Sequence, residues 1–235
     1  MKIKLYKSED RGATKNSWLT SFHSFSFADY FDPLNMGAGA LRVLNDDTIK
    51  PQSGFPMHSH RNMEIVTIIL KGKLTHADNL GNEKTLGEGE VQTMTAGVGV
   101  THSEYNNEKN SDVSLLQIWV RSKQKNLISR YEQKVFRKSG RENKWQVIVS
   151  PNLPNSLHIN QSAYFSLSEI PKKSIISYDL FEKSQGVFVF VIKGSIKIEN
   201  EILNKGDAIF IEEIAKISLE TLKKSYILAI EVPLE

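Results

Sequence analysis

Short apolar runs separated by glycine turns recur along this chain and predict a protein built almost entirely of β-strands. The run 65–70 is apolar and rich in β-branched residues, as expected of a buried strand. Gly72 and Gly89 mark the turns that follow. The other strands predicted in this half cover 73–77, 90–94 and 115–120. Short strands at this spacing indicate a sandwich or a barrel.

The same order of elements returns in the second half of the chain. Predicted strands at 187–192 and 195–198 flank Gly194 in the way that the earlier pair flanks Gly72. We therefore predict two tandem copies of one β-fold. The predicted organisation is an N-terminal domain over 1–125, a polar and charged connection over 126–144 and a C-terminal domain over 145–235.

Composition places the chain among soluble globular proteins and excludes several classes of function. Its 235 residues are 40% hydrophobic and 24% charged, which is enough to bury a core. The net charge of +3 is spread over scattered lysines and does not favour nucleic-acid binding. There is no cysteine, hence no disulfide and no thiolate ligand. The N-terminus lacks the apolar core of a secretory signal and no apolar run could span a membrane, so we expect a cytoplasmic protein.

Two short pairs of metal-ligand residues stand beside the predicted strands. One pair is His58 and His60, and the other is His102 and Glu104. Residues two apart on a strand point to the same face, so two strands can aim four donors at one point. Imidazole and carboxylate together suit zinc, iron, copper, nickel and manganese. Two unrelated surface pairs would be the alternative, but the repetition favours a metal site in the first half. No histidine lies after Leu180, so none is predicted in the second.

Longer motifs surround these pairs and the strands near them. They cover 18–27, 30–33, 41–47, 58–64, 94–106 and 130–133. These motifs resemble the pirin family of the cupin superfamily, and the last one is similar to the pirin-like quercetin 2,3-dioxygenases of bacteria. The resemblance is dense from about residue 10 to about residue 135 and weak in the rest of the chain.

The resemblance implies a bicupin, an all-β protein of two tandem antiparallel β-barrels of the double-stranded β-helix or jelly-roll type. It implies that His58, His60, His102 and Glu104 bind one divalent transition metal in the first barrel, and that the second barrel is a degenerate cupin. Iron(II) is the expected metal, with manganese, nickel, copper or zinc as alternatives. Glu64 occupies a position that is a ligand in many cupins. It is interpreted here as an acid that supports either a metal ligand or the fold, because Glu104 takes the ligand position.

Three other histidines are not assigned to the metal. His23 lies in a phenylalanine-rich stretch and is interpreted as a packed or hydrogen-bonded core residue. His76 is interpreted as an ordinary strand histidine. His158 lies in the second half of the chain without an evident partner.

The implied activity is the opening of a flavonol's heterocyclic ring by dioxygen, with quercetin as the type substrate. Four protein ligands leave one or two positions open on a metal that prefers five or six. Glu104 is the predicted catalytic residue, because it could accept the proton of the flavonol 3-hydroxyl. The expected partners are dioxygen and a flavonol or similar planar enol or phenolate, with no nucleic acid and no membrane. The alternative is a non-enzymatic pirin-type metal or redox sensor, such as a transcriptional cofactor with a protein partner.

Overall fold

The computed structural model describes residues 1–234, and strands make up most of them. Within these residues the helical turns are short 3-10 segments, Ser8–Asp10 and Lys138–Gly140. No helix in the described part of the chain has the length and apolar character needed to cross a membrane.

The first half of the chain supplies a large and a small antiparallel sheet. The strands up to Val135 are β1 (Lys2–Tyr6), β2 (Gly12–Lys15), β3 (Leu19–His23), β4 (Leu41–Ile49), β5 (Ser53–His60), β6 (Met63–Lys71), β7 (Lys73–Asp78), β8 (Glu83–Gly87), β9 (Glu90–Thr95), β10 (Val100–Asn106), β11 (Val113–Arg121) and β12 (Arg130–Val135). The large sheet has seven strands in the order β12-β9-β6-β11-β4-β3-β2. The small sheet has four, in the order β5-β10-β7-β8.

The second half repeats this arrangement. Its strands are β13 (Gln146–Ser150), β14 (Leu157–His158), β15 (Tyr164–Ile170), β16 (Ile175–Asp179), β17 (Gln185–Lys193), β18 (Ser195–Ile198), β19 (Glu201–Asn204), β20 (Ala208–Glu212), β21 (Lys216–Thr221) and β22 (Ser225–Pro233). The large sheet runs β1-β20-β17-β22-β15-β13-β14 and the small sheet β16-β21-β18-β19. All pairs in these sheets are antiparallel except the short β13–β14 pair.

The all-β bicupin prediction is confirmed, and the cores explain why the central strands are apolar on both faces. Val66 and Ile68 of β6 enter a core shared by the two large sheets, together with Phe188 of β17. Ile65 and Ile69, which alternate with them, belong to smaller clusters inside the first barrel. Because both faces of β6 are covered, its sequence reads as a continuous apolar run instead of an alternating one.

The predicted repeat is visible strand by strand. The order β9-β6-β11-β4 corresponds to β20-β17-β22-β15, and the small sheets correspond throughout. Gly72 follows β6 and Gly194 follows β17, with positive φ angles of 80° and 96°. A Cβ on either glycine would lie 2.6 Å or 2.4 Å from a backbone carbonyl oxygen. Both the backbone angle and the close approach require glycine at this turn.

Two strands lie outside the organisation expected from the sequence. β1 begins the predicted N-terminal domain, yet it pairs with β20 at the edge of the second large sheet. β12 lies in the predicted connection, yet it pairs with β9 at the matching edge of the first large sheet. In each copy a segment from outside the repeat therefore covers an edge whose backbone groups would otherwise be unpaired. The boundaries at 125 and 145 themselves remain predictions.

Candidate functional site

Three of the four predicted ligands lie together on two neighbouring strands. His58 and His60 are on β5, and His102 is directly opposite His58 on β10. The ring centroids are 4.4 Å apart for His58 and His102, 4.8 Å for His58 and His60, and 5.0 Å for His60 and His102. One nitrogen of each ring lies within 4.8 Å of the others. The two-residue spacing thus places His58 and His60 on the same face of the sheet as His102 of β10.

The surroundings of His60 and His102 favour the neutral form of these two rings. Burial, followed by the proximity of His58, lowers the pKa of His60 to about 4. Burial also lowers the pKa of His102 to about 2, and the neighbouring histidines add to the effect. A neutral imidazole carries a lone pair that can bind a metal ion. The cluster is therefore suited to a metal cation and poorly suited to a proton.

Two of the rings present a free nitrogen. The Nδ1 atom of His58 lies 2.8 Å from the carbonyl oxygen of Pro56. Because that oxygen can only accept, Nδ1 carries the hydrogen and Nε2 keeps its lone pair. The Nε2 atom of His102 is buried and has no hydrogen-bond partner among residues 1–234. A buried nitrogen without a partner, beside two other imidazoles, fits a metal ion that would satisfy it.

A buried histidine behind His102 explains which of its nitrogens is free. The Nε2 atom of His76 lies 2.9 Å from Oδ2 of Asp78, and its Nδ1 atom lies 3.3 Å from Nδ1 of His102. The carboxylate can only accept, so His76 donates from Nε2 and accepts at Nδ1. His102 then donates from Nδ1, which leaves the lone pair on Nε2. Tyr131 stacks on His76 at a centroid distance of 4.5 Å and holds the ring in place. His76 is thus more than the ordinary strand histidine expected from the sequence.

Glu104 adjoins the cluster through His102, and three polar side chains hold its carboxylate. Oε1 accepts a hydrogen bond from Gln92 at 3.0 Å and a longer one from Thr67 at 3.4 Å. Oε2 accepts a hydrogen bond from Gln117 at 2.7 Å. We call these three residues the Glu104 cradle. Both glutamine amides donate an N–H to the carboxylate, whereas the Thr67 hydroxyl lies closer to Oε1 of Gln117, at 2.9 Å. The two amide donors make the cradle complementary to an anion.

The carboxylate of Glu104 keeps the capacity for a further partner. Burial, and secondarily the charge of Asp47, raises its pKa to about 7, although the hydrogen bonds of the cradle oppose the shift. Oε2 accepts a single hydrogen bond, which leaves a lone pair for a metal ion or a proton. Glu104 also forms a second group with His76 and His102, with donor atoms within 4.8 Å. Because both nitrogens of His76 are hydrogen bonded, the group of three histidines is the better site for a metal ion.

Glu64 lies outside both groups of metal-ligating residues. Its Oε2 atom accepts a hydrogen bond from the Thr95 hydroxyl at 2.8 Å, and its Oε1 atom accepts one from Asn160 at 3.1 Å. The second contact joins the two halves of the chain. Neither partner is a predicted metal ligand, so these contacts favour a structural role for Glu64 over a role in supporting a ligand.

The cluster opens into a cavity of about 210 Å³. Trp119 lies on one side of it, with its ring 4.8 Å from the ring of His60. Apolar side chains contribute most of the wall, including Leu19, Phe27 and Phe55. Polar groups also line it: Thr14, Ser21, His23, Asn45, Asp47, Glu104 and Gln117. A larger cleft of about 340 Å³ lies elsewhere, near Lys138 and Arg141, and none of the clustered histidines lines it.

The residues of the Glu104 cradle were missed by the sequence analysis, although each leaves a trace in the sequence. Thr67, Gln92 and Gln117 are buried polar residues in strands that are otherwise largely apolar. A polar group is costly to bury without a hydrogen-bond partner. A single polar residue in such a strand therefore signals a partner inside the barrel, but it does not identify that partner.

In the matching strand pair of the second barrel, the positions that correspond to His58, His102 and Glu104 hold no imidazole and no carboxylate. Tyr178 stands opposite Ile217 on β16 and β21, as His58 stands opposite His102 on β5 and β10. Ile217 belongs to the core of the second barrel, as does Leu219 two residues later. This pattern supports the prediction that the metal site is confined to the first half.

Comparison with known proteins extends these observations to the whole chain. The family model described as Pirin matches residues 6–120, and the model described as Quercetinase C-terminal cupin domain matches residues 147–232. A Zymomonas mobilis protein provisionally named quercetin 2,3-dioxygenase is 42% identical over 93% of each chain. The quercetin 2,3-dioxygenase of Escherichia coli K12 is 35% identical over 98% of this chain and 99% of its own.

A solved structure of the same fold contains a metal ion. The bacterial pirin YhhW of Escherichia coli, crystallised in complex with nickel(II), superposes with a TM-score of 0.93. It is 34% identical in sequence and covers 100% of both chains. The likeness therefore extends over the second half, where the sequence motifs are weak.

We predict that Asp47→Asn changes how stability depends on pH. Burial raises the pKa of Asp47 to about 7, against an opposing hydrogen bond from Ser21. The folded protein then holds a proton that the unfolded chain releases near pH 4, so stability falls as the pH rises from about 4 to about 7. The amide introduced by the substitution cannot ionise, and the variant should gain stability relative to the parent across that range, by at most about 4 kcal/mol. Urea unfolding of the metal-free proteins at pH 5 and pH 8 measures the difference.

The matched control is Asp46→Asn, on the same strand but paired with Arg11 outside the cavity, at 3.7 Å. This variant should not show the gain in stability at pH 8 that is expected of Asp47→Asn. An equal stability difference between the parent and Asp47→Asn at both pH values contradicts the assignment of a buried, ionisable Asp47.

We predict that His76→Phe weakens metal binding although His76 is not itself proposed as a ligand. Phenylalanine keeps the ring against Tyr131 but removes the acceptor for His102 Nδ1, so His102 is no longer held in one tautomer. Loss of such a partner lowers metal affinity by about 10–100-fold. His76→Gln, which retains an acceptor and a donor, should recover part of the loss. Competition with a chelator for nickel(II) gives the affinities, and unchanged affinity in His76→Phe would exclude the role.

Proposed function

The chain belongs to the pirin family, and from this premise we propose that it is a metal-dependent dioxygenase that opens the heterocyclic ring of flavonols with dioxygen. The observation that carries the proposal is the group of three imidazoles: two line an aromatic-walled cavity, and the third, His102, has a nitrogen without a partner among residues 1–234. Relatives named quercetin 2,3-dioxygenase support the substrate class. Their names also favour the enzyme over the redox-sensor alternative.

We propose that His58, His60, His102 and Glu104 bind one divalent transition metal. The two lone pairs traced above and the free position on Glu104 Oε2 support this set. The nickel(II) complex of a relative with 34% identity supports a metal in this family. Iron(II) is our proposed native metal, because histidine-plus-carboxylate sites with open positions suit non-haem iron oxygenases. When bound, the metal would act as a Lewis acid toward the substrate hydroxyl and would supply the redox chemistry that dioxygen requires.

The cavity suits one part of a flavonol. Its volume of about 210 Å³ is below the ~300–1,000 Å³ of pockets that enclose a whole drug-sized ligand. We therefore expect the ring that bears the 3-hydroxyl to enter beside the histidines, while the rest of the molecule extends toward the mouth. Phe27, Phe55 and Trp119 offer flat apolar surfaces to a planar ring and exclude water from it.

Glu104 is the proposed proton acceptor for the 3-hydroxyl. A pKa of about 7 places the carboxyl near the operating pH of a general base. The cradle holds the carboxylate in one orientation, with Oε2 as the oxygen that has a lone pair to spare. Deprotonation makes the flavonol electron-rich, which is the state that reacts with dioxygen.

The function is tested by dioxygen consumption with iron(II)-loaded protein and quercetin. We expect one metal ion per chain, consumption of one dioxygen per flavonol and release of carbon monoxide. The double variant His58→Ala, His60→Ala should lose the metal and fall to background turnover. The control His158→Ala removes a histidine of the second half and should retain both. Full metal content in the double variant refutes the ligand assignment, and absence of dioxygen uptake with any flavonol by the loaded parent refutes the activity.

The base role of Glu104 is tested by exchanging two residues. In Glu104→Gln the new amide would place a donor against a donor of the cradle, so the single variant should be destabilised as well as inactive. Combining it with Gln117→Glu restores the hydrogen bond between positions 104 and 117 but moves the charge. The double variant should therefore recover thermal stability while turnover stays about 10²–10⁴-fold below the parent. Recovery of turnover together with stability would show that no base is needed at position 104.

A further inference from the structure

One wall of the cavity is polar and is not used by the proposed metal site or by the Glu104 cradle. It consists of two pairs of residues that stand opposite each other on β3 and β4. His23 faces Asn45, and Ser21 faces Asp47. All four line the cavity. We call them the β3–β4 wall.

Within this wall the histidine is fully satisfied by protein groups. Nδ1 of His23 lies 2.9 Å from Oδ1 of Asn45, and Nε2 lies 2.9 Å from the hydroxyl of Thr14. The amide oxygen can only accept, so His23 donates from Nδ1 and accepts from Thr14. Burial lowers its pKa, which favours this neutral form. His23 therefore holds Asn45 and Thr14 in place, and neither of its ring nitrogens is available to a ligand.

Asp47 is the exception in the wall. It is 2% exposed, and its Oδ1 atom has no hydrogen-bond partner within the described residues. A buried carboxylate oxygen without a partner carries a desolvation penalty that an apolar side chain would not. A residue of this kind on the wall of a cavity indicates a partner that enters from outside.

The second barrel shows that the fold itself does not require a carboxylate at this position. Asp47 stands opposite Leu115, which in turn stands opposite Ile69, three residues before Gly72. In the second copy Ser168 occupies the same place relative to Gly194. Its hydroxyl donates to the carbonyl oxygen of Lys144 at 2.8 Å and is satisfied. The unsatisfied carboxylate is therefore specific to the barrel that holds the histidines.

The chemistry of the cavity limits what this partner can be. Asp47 and Glu104 both line the cavity, so two carboxyl groups share one small space. A ligand with a further negative charge would be repelled there, whereas a neutral hydroxyl could donate to Asp47. The aromatic remainder of the wall favours a planar ring as the carrier of that hydroxyl.

We propose that Asp47 is a specificity-determining residue that accepts a hydrogen bond from a second hydroxyl of the substrate, other than the one beside the histidines. The inference rests on the proposed function and narrows it to polyhydroxylated flavonols. A hydrogen bond from a neutral donor to a carboxylate favours a ligand that has the hydroxyl over one that lacks it by about 10–100-fold.

The test compares quercetin with 3-hydroxyflavone, which has only the 3-hydroxyl. Both are titrated without dioxygen against nickel(II)-loaded protein, and binding is followed by the absorbance of the flavonol. The parent should bind quercetin about 10–100-fold more tightly. Asp47→Leu removes the acceptor at similar size and should abolish this preference by weakening quercetin alone. Asp47→Asn keeps an amide oxygen as acceptor and should retain part of the preference for quercetin. This variant provides the test if Asp47→Leu does not fold.

The matched control is again Asp46→Asn, whose side chain faces Arg11 and not the cavity. It should leave the preference for quercetin intact. Equal binding of the two flavonols to the parent, or an undiminished preference in both Asp47 variants, overturns the role of Asp47 while the proposed function stands. If neither flavonol binds the loaded parent, the proposed function fails and the inference fails with it.

Discussion

The apolar layer between the two seven-stranded sheets is the constraint on which the rest of the molecule depends. It takes every second residue of the central strands, such as Val66 and Ile68 in the first copy and Phe188 and Phe190 in the second. Because side chains alternate along a strand, the residues in between must point into one barrel or the other. The interface between the sheets thus determines which strand positions point into a barrel and are available for functional side chains. It does not constrain the residues inside each barrel, so the two interiors can have different compositions.

The interior of the first barrel contains polar groups, and burying them costs free energy of desolvation. Glu104 and Asp47 are both buried, and burial raises the pKa of each to about 7. The amide and hydroxyl donors around Glu104 offset part of the cost, whereas the Oδ1 atom of Asp47 and the Nε2 atom of His102 lack such partners among residues 1–234. Unsatisfied groups of this kind persist in a folded protein when a ligand completes them. The polar interior is therefore consistent with the metal ion and the substrate proposed for it.

The second barrel has the same fold but an interior with far fewer polar groups at the corresponding positions. Val189 and Ala229 occupy the positions that correspond to Thr67 and Gln117. Val189 lies as many residues before Gly194 as Thr67 lies before Gly72, and it pairs with Ala229 as Thr67 pairs with Gln117. Its interior is a continuous apolar core. The contribution of this barrel is support: its large sheet packs against the outer face of the first large sheet, which forms the opposite side of the barrel from β5 and β10.

Local patterns in the sequence determined the strands, the internal repeat and the donor pairs. Residues two apart on a strand share a face whatever the rest of the fold does, so the pairing of His58 with His60 follows from spacing alone. The tertiary structure decided which residues stand behind the donors. His76 reaches His102 from the neighbouring strand β7, and Asp47 reaches the cavity from the opposite sheet. Such contacts depend on strand register and on the order of strands in a sheet. Neither is encoded in a local pattern, because each is set by packing between segments that are far apart in the chain.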